Sequence, residues 1–125
     1  MLRTLTSLFN NPERDAKRLN RDAAAIIDSA TKSLAADRVR EIAVMTLQHL
    51  GETRKHLEEH TQSRDQVLYR FRQLHGESRR RMDQIGLTAY TLVIIDLRAA
   101  ALGSIADPAR EAIDEFTSRW AHAAQ

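Results

Sequence analysis

Three groups of side chains carry whatever chemistry this chain can do. His49, His56 and His60 recur at helical spacing, with Glu52 and Glu59 beside them. At 3.6 residues per turn His56 and His60 stand one turn apart, the spacing at which two imidazoles share a divalent metal, and Glu52 and Glu59 are the adjacent carboxylate ligands. Arg70, Arg72, Arg79, Arg80 and Arg81 form a basic run around a candidate turn. Such guanidinium clusters hold phosphates through bidentate, charge-assisted hydrogen bonds. Asp96 is surrounded at helical spacing by Ile85, Ala89 and Leu92. A carboxylate in that setting needs a partner or a shifted pKa. Arg64 and His60 interrupt the apolar seam of the preceding helix and are its natural partners, as a buried polar contact that fixes helix register or oligomeric state.

None of the three completes a catalytic constellation. His56-Leu57-Glu58-Glu59-His60 resembles the H-x-x-E-H string of the inverzincin metallopeptidases, in which two histidines bind zinc and the glutamate activates water. That resemblance implies a mixed α and β domain with a further glutamate ligand on a distant helix, and the rest of this sequence supplies neither. A ferritin-like di-iron site wants Glu-x-x-His, whereas this chain has Glu52-x-x-x-His56. Arg70-x-x-x-x-His75 is similar to the Arg-x4-6-His string of the HEPN ribonucleases, with Phe71 where that family carries a polar residue. The residues around His49 lack the lysine and glycine that follow the histidine of phosphotransfer domains. The arginine run has neither the interleaved aromatics of a single-strand binder nor a recognisable helix-turn-helix around it.

The scaffold that must position these residues is all-α. Alanine, leucine, arginine and glutamate dominate, proline and glycine are scarce, and no alternating apolar/polar run marks a strand. A chain of 125 residues is normally one domain, and without cysteine it has no disulfides, thiolate metal sites or thiol nucleophile. The net charge is only +2, but it is unevenly spread. The stretch from Arg64 to Arg81 is basic, and the segment from Asp107 onward, with Glu111, Asp114 and Glu115, is acidic.

Asn11-Pro12-Glu13 predicts a helix start, with Asn as cap and Pro in the first turn. Leu19, Ala23, Ile26, Ala30 and Leu34 give that helix one apolar stripe. The stretch from Ala36 to about His75 contains no proline and reads as a single helix, with a near-heptad seam through Val39, Leu50, Leu57, Val67 and Phe71. Gly51 is its expected kink and Gly76 its expected cap. It would be about 60 Å long, against a diameter of roughly 36 Å for a compact globule of this chain length. A third helix from about Ser78 to Leu102 is apolar on most sides and ends at Gly103; Asp107-Pro108 then opens a fourth. Asp96 and Arg98 near the centre of the third would cost about 5–7 kcal/mol in a bilayer, which argues for protein core over a transmembrane segment.

The expected architecture is an antiparallel four-helix bundle with an unusually long second helix, rod-like or oligomeric. Residues 1–10 form an amphipathic arm (Leu2, Leu5, Leu8, Phe9), and residues 11–125 form the helical domain. The arm lacks the apolar core of a signal peptide, which points to the cytoplasm. The expected function is non-enzymatic: a scaffold, adaptor, chaperone or regulator that meets a protein partner and self-associates, most simply as a dimer, through its long helices. It requires no cofactor. Two alternatives accompany it, a divalent-metal protein using His56 and His60, and a polyanion or nucleic-acid binder using Arg70 to Arg81.

Overall fold

The computed structural model describes residues 11–122, and every regular element among them is helical. The elements are α1 (Pro12–Ser33), α2 (Ala36–Glu58), α3 (Arg64–Arg80), α4 (Gln84–Leu102), a 3-10 turn (Gly103–Ala106) and α5 (Asp107–Ala121). The amphipathic arm, residues 1–10, lies outside the described residues.

The apolar helix α4 is the hub. Ala89, Leu92, Val93, Ile95, Leu97 and Ala99 are all buried, and α1, α2, α3 and α5 each pack against it. The stretch beginning at Gln84 is long and apolar enough to span a membrane by length and composition alone. Here the α4 part of it supplies the common surface that four other helices cover. Its neighbours run in definite directions. Phe71 meets Tyr90 while Ser78 meets Gly86, so α3 is antiparallel to α4. His49 meets Tyr90 while Arg54 meets Asp96, so α2 is parallel to it.

The forty-residue helix expected from Ala36 to His75 is two helices. The chain runs unbroken through Gly51, whose missing side chain faces open space, and stops at Glu58 instead. The stop is a Schellman motif built without glycine. Thr61 N–H donates to the His56 carbonyl at 3.0 Å, His60 N–H donates to the Leu57 carbonyl at 3.4 Å, and His60 takes a left-handed φ of 57°. Ser63 then starts α3 with a full capping box: its hydroxyl accepts from Gln66 N–H, and the Gln66 side chain accepts from Ser63 N–H.

The same device ends α3. Asp83 N–H donates to the Ser78 carbonyl at 2.8 Å, Met82 N–H donates to the Arg79 carbonyl at 3.2 Å, and Met82 also has φ 57°. Gly76, the expected cap, therefore lies inside α3, and α4 begins at Gln84 under an Asp83 cap that accepts from Gly86 N–H. A Cβ at Gly86 would stand 2.5 Å from Asp83 Oδ2 and 2.6 Å from Ser78 Oγ, so a larger residue there would have to displace the Asp83 cap and the Ser78 hydroxyl.

At the other end, Gly103 closes α4 with φ 75°. Asp107 is not the cap expected for the last helix: it lies within α5, and the residue before it, Ala106, offers no side-chain cap. The missing partner comes from α1, where Asn20 accepts from Ala109 N–H at 2.8 Å and donates to the Ile105 carbonyl at 3.0 Å.

Candidate functional site

The corner between α3 and α4 carries three consecutive exposed arginines. Arg79, Arg80 and Arg81 close α3 rather than open a helix, as the sequence had suggested. At a C-terminus the helix dipole favours cations, so the three charges need no local counter-ion to hold the fold. All three side chains are exposed, and none has a hydrogen-bond or ion-pair partner among the described residues. Met82 follows at the tip of the turn, 89% exposed and left-handed. A non-glycine residue in that conformation carries a strain of about 1 kcal/mol. The sequence offered no glycine, asparagine or proline to mark this turn, which is why Met82 escaped notice. The Asp83 N-cap was the available signal.

The other members of the predicted cluster go elsewhere. Arg70 turns back to α2, where it donates to Glu52 at 3.3 Å, and its guanidinium lies 5.4 Å from the Phe71 ring centre. Burial pushes the Glu52 carboxyl up, but Arg70 and then His49 outweigh it, so its pKa falls below the ordinary value. Arg72 lines a groove between α3 and α1.

The second charged centre lies where α2, α4 and α5 meet. Asp96 has a side chain only 2% exposed. Its partners are Arg54 and Arg110, not Arg64 and His60. Arg54 grips it with two hydrogen bonds, at 2.8 and 3.3 Å, and Arg110 Nε adds a third at 3.1 Å. Arg54 also donates to Asp114 at 2.9 Å, so two guanidiniums and two carboxylates form one neutral network. Burial opposes the Arg54 charge, yet Asp96 and then Asp114 outweigh it and raise its pKa. The pairing expected with Arg64 and His60 fails because the chain breaks between them: His60 sits in the turn and Arg64 opens α3, both exposed. Arg54 was legible as the charged residue one turn after the buried Leu50, and Arg110 and Asp114 as an i,i+4 pair on α5.

The histidine stripe is dispersed by the same break. His56 keeps its place on α2 and its Nδ1 lies 2.7 Å from Thr61 Oγ1. His60 has left the helix, so the one-turn relation to His56 no longer exists. Glu59 is the exposed C-cap of α2, and Glu52 faces Arg70 and His49. Among the described residues no three His, Asp or Glu side chains come together as metal ligands. His49 is instead part of an aromatic contact, its ring 5.3 Å from Phe71 and 5.4 Å from Tyr90. Burial raises the Tyr90 pKa, Asp83 and Glu77 add to the rise, and Arg70 opposes it. Thr46 and Thr53 on α2 are fully buried, with their hydroxyls donating to the Ile42 and Leu50 carbonyls of their own helix.

No family model, no curated protein and no solved structure matches this chain.

Proposed function

We propose that this chain is a non-enzymatic interaction protein that binds a polyanion, nucleic acid in the first instance, through the corner where α3 turns into α4. The observation that carries this reading is the set of three consecutive exposed arginines with no partner within the described chain, beside an exposed and strained Met82. Arg54, Arg70 and Arg110 each meet a carboxylate of another helix. The three arginines at this corner do not, and planar guanidiniums are suited to phosphate oxygens. The helix α3 packs chiefly on α4, and Arg72, Gln73, Arg79 and Arg80 on its other side are exposed.

Self-association was expected from the length of one continuous helix, and the division at residues 59–63 withdraws that support. What remains for it is charge: Asp107, Glu111 and Glu115 repeat every fourth residue along exposed positions of α5 and would complement the basic corner of a second copy.

Fluorescence anisotropy with labelled single- and double-stranded oligonucleotides, across a salt series, tests the proposal. Binding should weaken steeply with salt, and Arg79→Gln/Arg80→Gln/Arg81→Gln should flatten the dependence of log K on log salt by up to about three units. The same triple variant should keep its stability within about 0.5 kcal/mol, since exposed unpaired charges contribute little to folding. No binding at low salt, or an unchanged slope in the variant, would refute the reading. Light scattering on the same samples separates the alternative, which requires a dimer that dissociates with added salt.

A further inference from the structure

We propose that the groove between α1 and α3, floored by α4, is a binding site for a phosphomonoester carried on an apolar body. The site is separate from the α3–α4 corner and stands whether or not that corner binds a polyanion. Both α1 and α3 run antiparallel to α4, and between them they leave a groove of about 310 Å³. Three different helices send an arginine to it, Arg18 from α1, Arg72 from α3 and Arg98 from α4, and His75 adds an imidazole. None of these four side chains has a hydrogen-bond or ion-pair partner among the described residues.

Asp22 is the one carboxylate in the lining, and its nearest cation is Arg21, outside the groove, at 3.9 Å. With His75 neutral the lining is left at +2, three arginines against one aspartate. That matches the charge of a phosphomonoester near neutral pH. Three guanidiniums against one carboxylate leave an excess of positive charge around the groove, and a dianion with three acceptor oxygens offsets it while accepting bidentate hydrogen bonds. The floor is of the opposite character. Leu19 and Ile95 are buried, Ile26 and Ile94 are half-buried, and all four line the groove. Inorganic phosphate would leave that apolar surface wet, whereas a phosphate with an attached hydrocarbon covers it. This is why the occupant is an amphiphilic phosphate rather than the free ion.

Isothermal titration of the full chain at low salt with hexyl phosphate, inorganic phosphate and hexanol distinguishes the contributions. Hexyl phosphate should bind more tightly than either of the other two. Arg18→Gln and Arg98→Gln should each weaken it about tenfold, the loss expected when a charge-assisted hydrogen bond is removed. The corner variant Arg79→Gln/Arg80→Gln/Arg81→Gln should bind hexyl phosphate as the natural chain does, which separates failure here from failure of the polyanion reading. Circular dichroism melting of each variant confirms that it folds, and Arg98→Lys serves as a second variant that keeps the charge but loses the bidentate fork. Equal affinity for inorganic phosphate and hexyl phosphate would overturn the proposal, as would undiminished binding in the Arg18 and Arg98 variants.

Discussion

Arg54 and Arg110, where α2, α4 and α5 meet, and Arg79 to Arg81, at the end of α3, place the same guanidinium in opposite electrostatic settings. The first pair converges on a carboxylate that water scarcely reaches. There the attraction is strengthened by the low local dielectric, and every lone pair of Asp96 that is used is used by a cation. The three at the corner face solvent, screened and unopposed. The difference is a matter of topology. Three helices cross near Asp96 and can bring charges from distant parts of the sequence together, whereas α3 packs chiefly against α4 and ends in three arginines that face solvent. Charge committed inside the fold holds helices together, and charge left outside it is free to meet something else.

The comparison breaks most visibly if the inner network is turned into a copy of the corner. Asp96→Ala leaves Arg110 half-buried without its counter-ion and Arg54 with only the exposed Asp114, and should lower unfolding stability by about 3 kcal/mol, toward the low end for a buried pair because both guanidiniums keep some contact with water. Urea denaturation measures this. Replacing Asp96, Arg54 and Arg110 together with Leu, Met and Met should recover most of the loss, because the one charge then left without its partner, Asp114, is exposed to water. A loss below about 1 kcal/mol for Asp96→Ala would mean that the two regions differ less than their geometry implies.

Strain sharpens the contrast from the corner's side. Met82 holds a left-handed φ at 89% exposure, so its conformation is enforced by the Schellman hydrogen bonds and not by packing. Met82→Gly should raise stability by about 1 kcal/mol, read as an increase in the denaturation midpoint, and His60→Gly should do the same at the end of α2. No gain at either position would contradict the assignment of these residues as the pivots of the two turns.

These two turns also show where sequence reasoning stopped. The helical class, the Asn11-Pro12 start, the apolar hub and the Gly103 stop follow from residue types whose conformational meaning is strong. The breaks at His60 and Met82 use residues that ordinarily continue a helix, whereas Gly51 and Gly76, the residue type that would mark a break, lie inside helices. What was readable was the start that follows each break: Ser63 with Gln66 three residues on, and Asp83 ahead of an apolar run. Missing the first break carried Arg64 and His60 onto a seam that does not exist and hid Arg54 as the partner of Asp96. The Asn20 cap of α5 spans 89 residues and has no local signature, so only the folded chain reveals it.

Arg70 stands between the two extremes and tests whether the contrast is graded. It is paired, but with Glu52, and the two side chains are 43% and 46% exposed. An ion pair so open to water and salt contributes less than about 1 kcal/mol. Its signature is therefore better sought in pH than in a single stability value. The Glu52 carboxyl is held below its unfolded pKa of 4.5 by Arg70 and His49, which outweigh the opposing effect of burial. A depressed folded-state pKa contributes stability that is fully present above the unfolded value and is lost as pH falls through the folded one. The stability difference between the natural chain and Glu52→Gln should accordingly be constant near neutral pH and shrink as the pH drops below about 4.5. Added salt should reduce the neutral-pH difference for this pair more than it reduces the effect of Asp96→Ala, since exposed charges are screened and buried ones are not. Equal salt sensitivity for the two substitutions would place Arg70 with the inner network instead of between it and the corner.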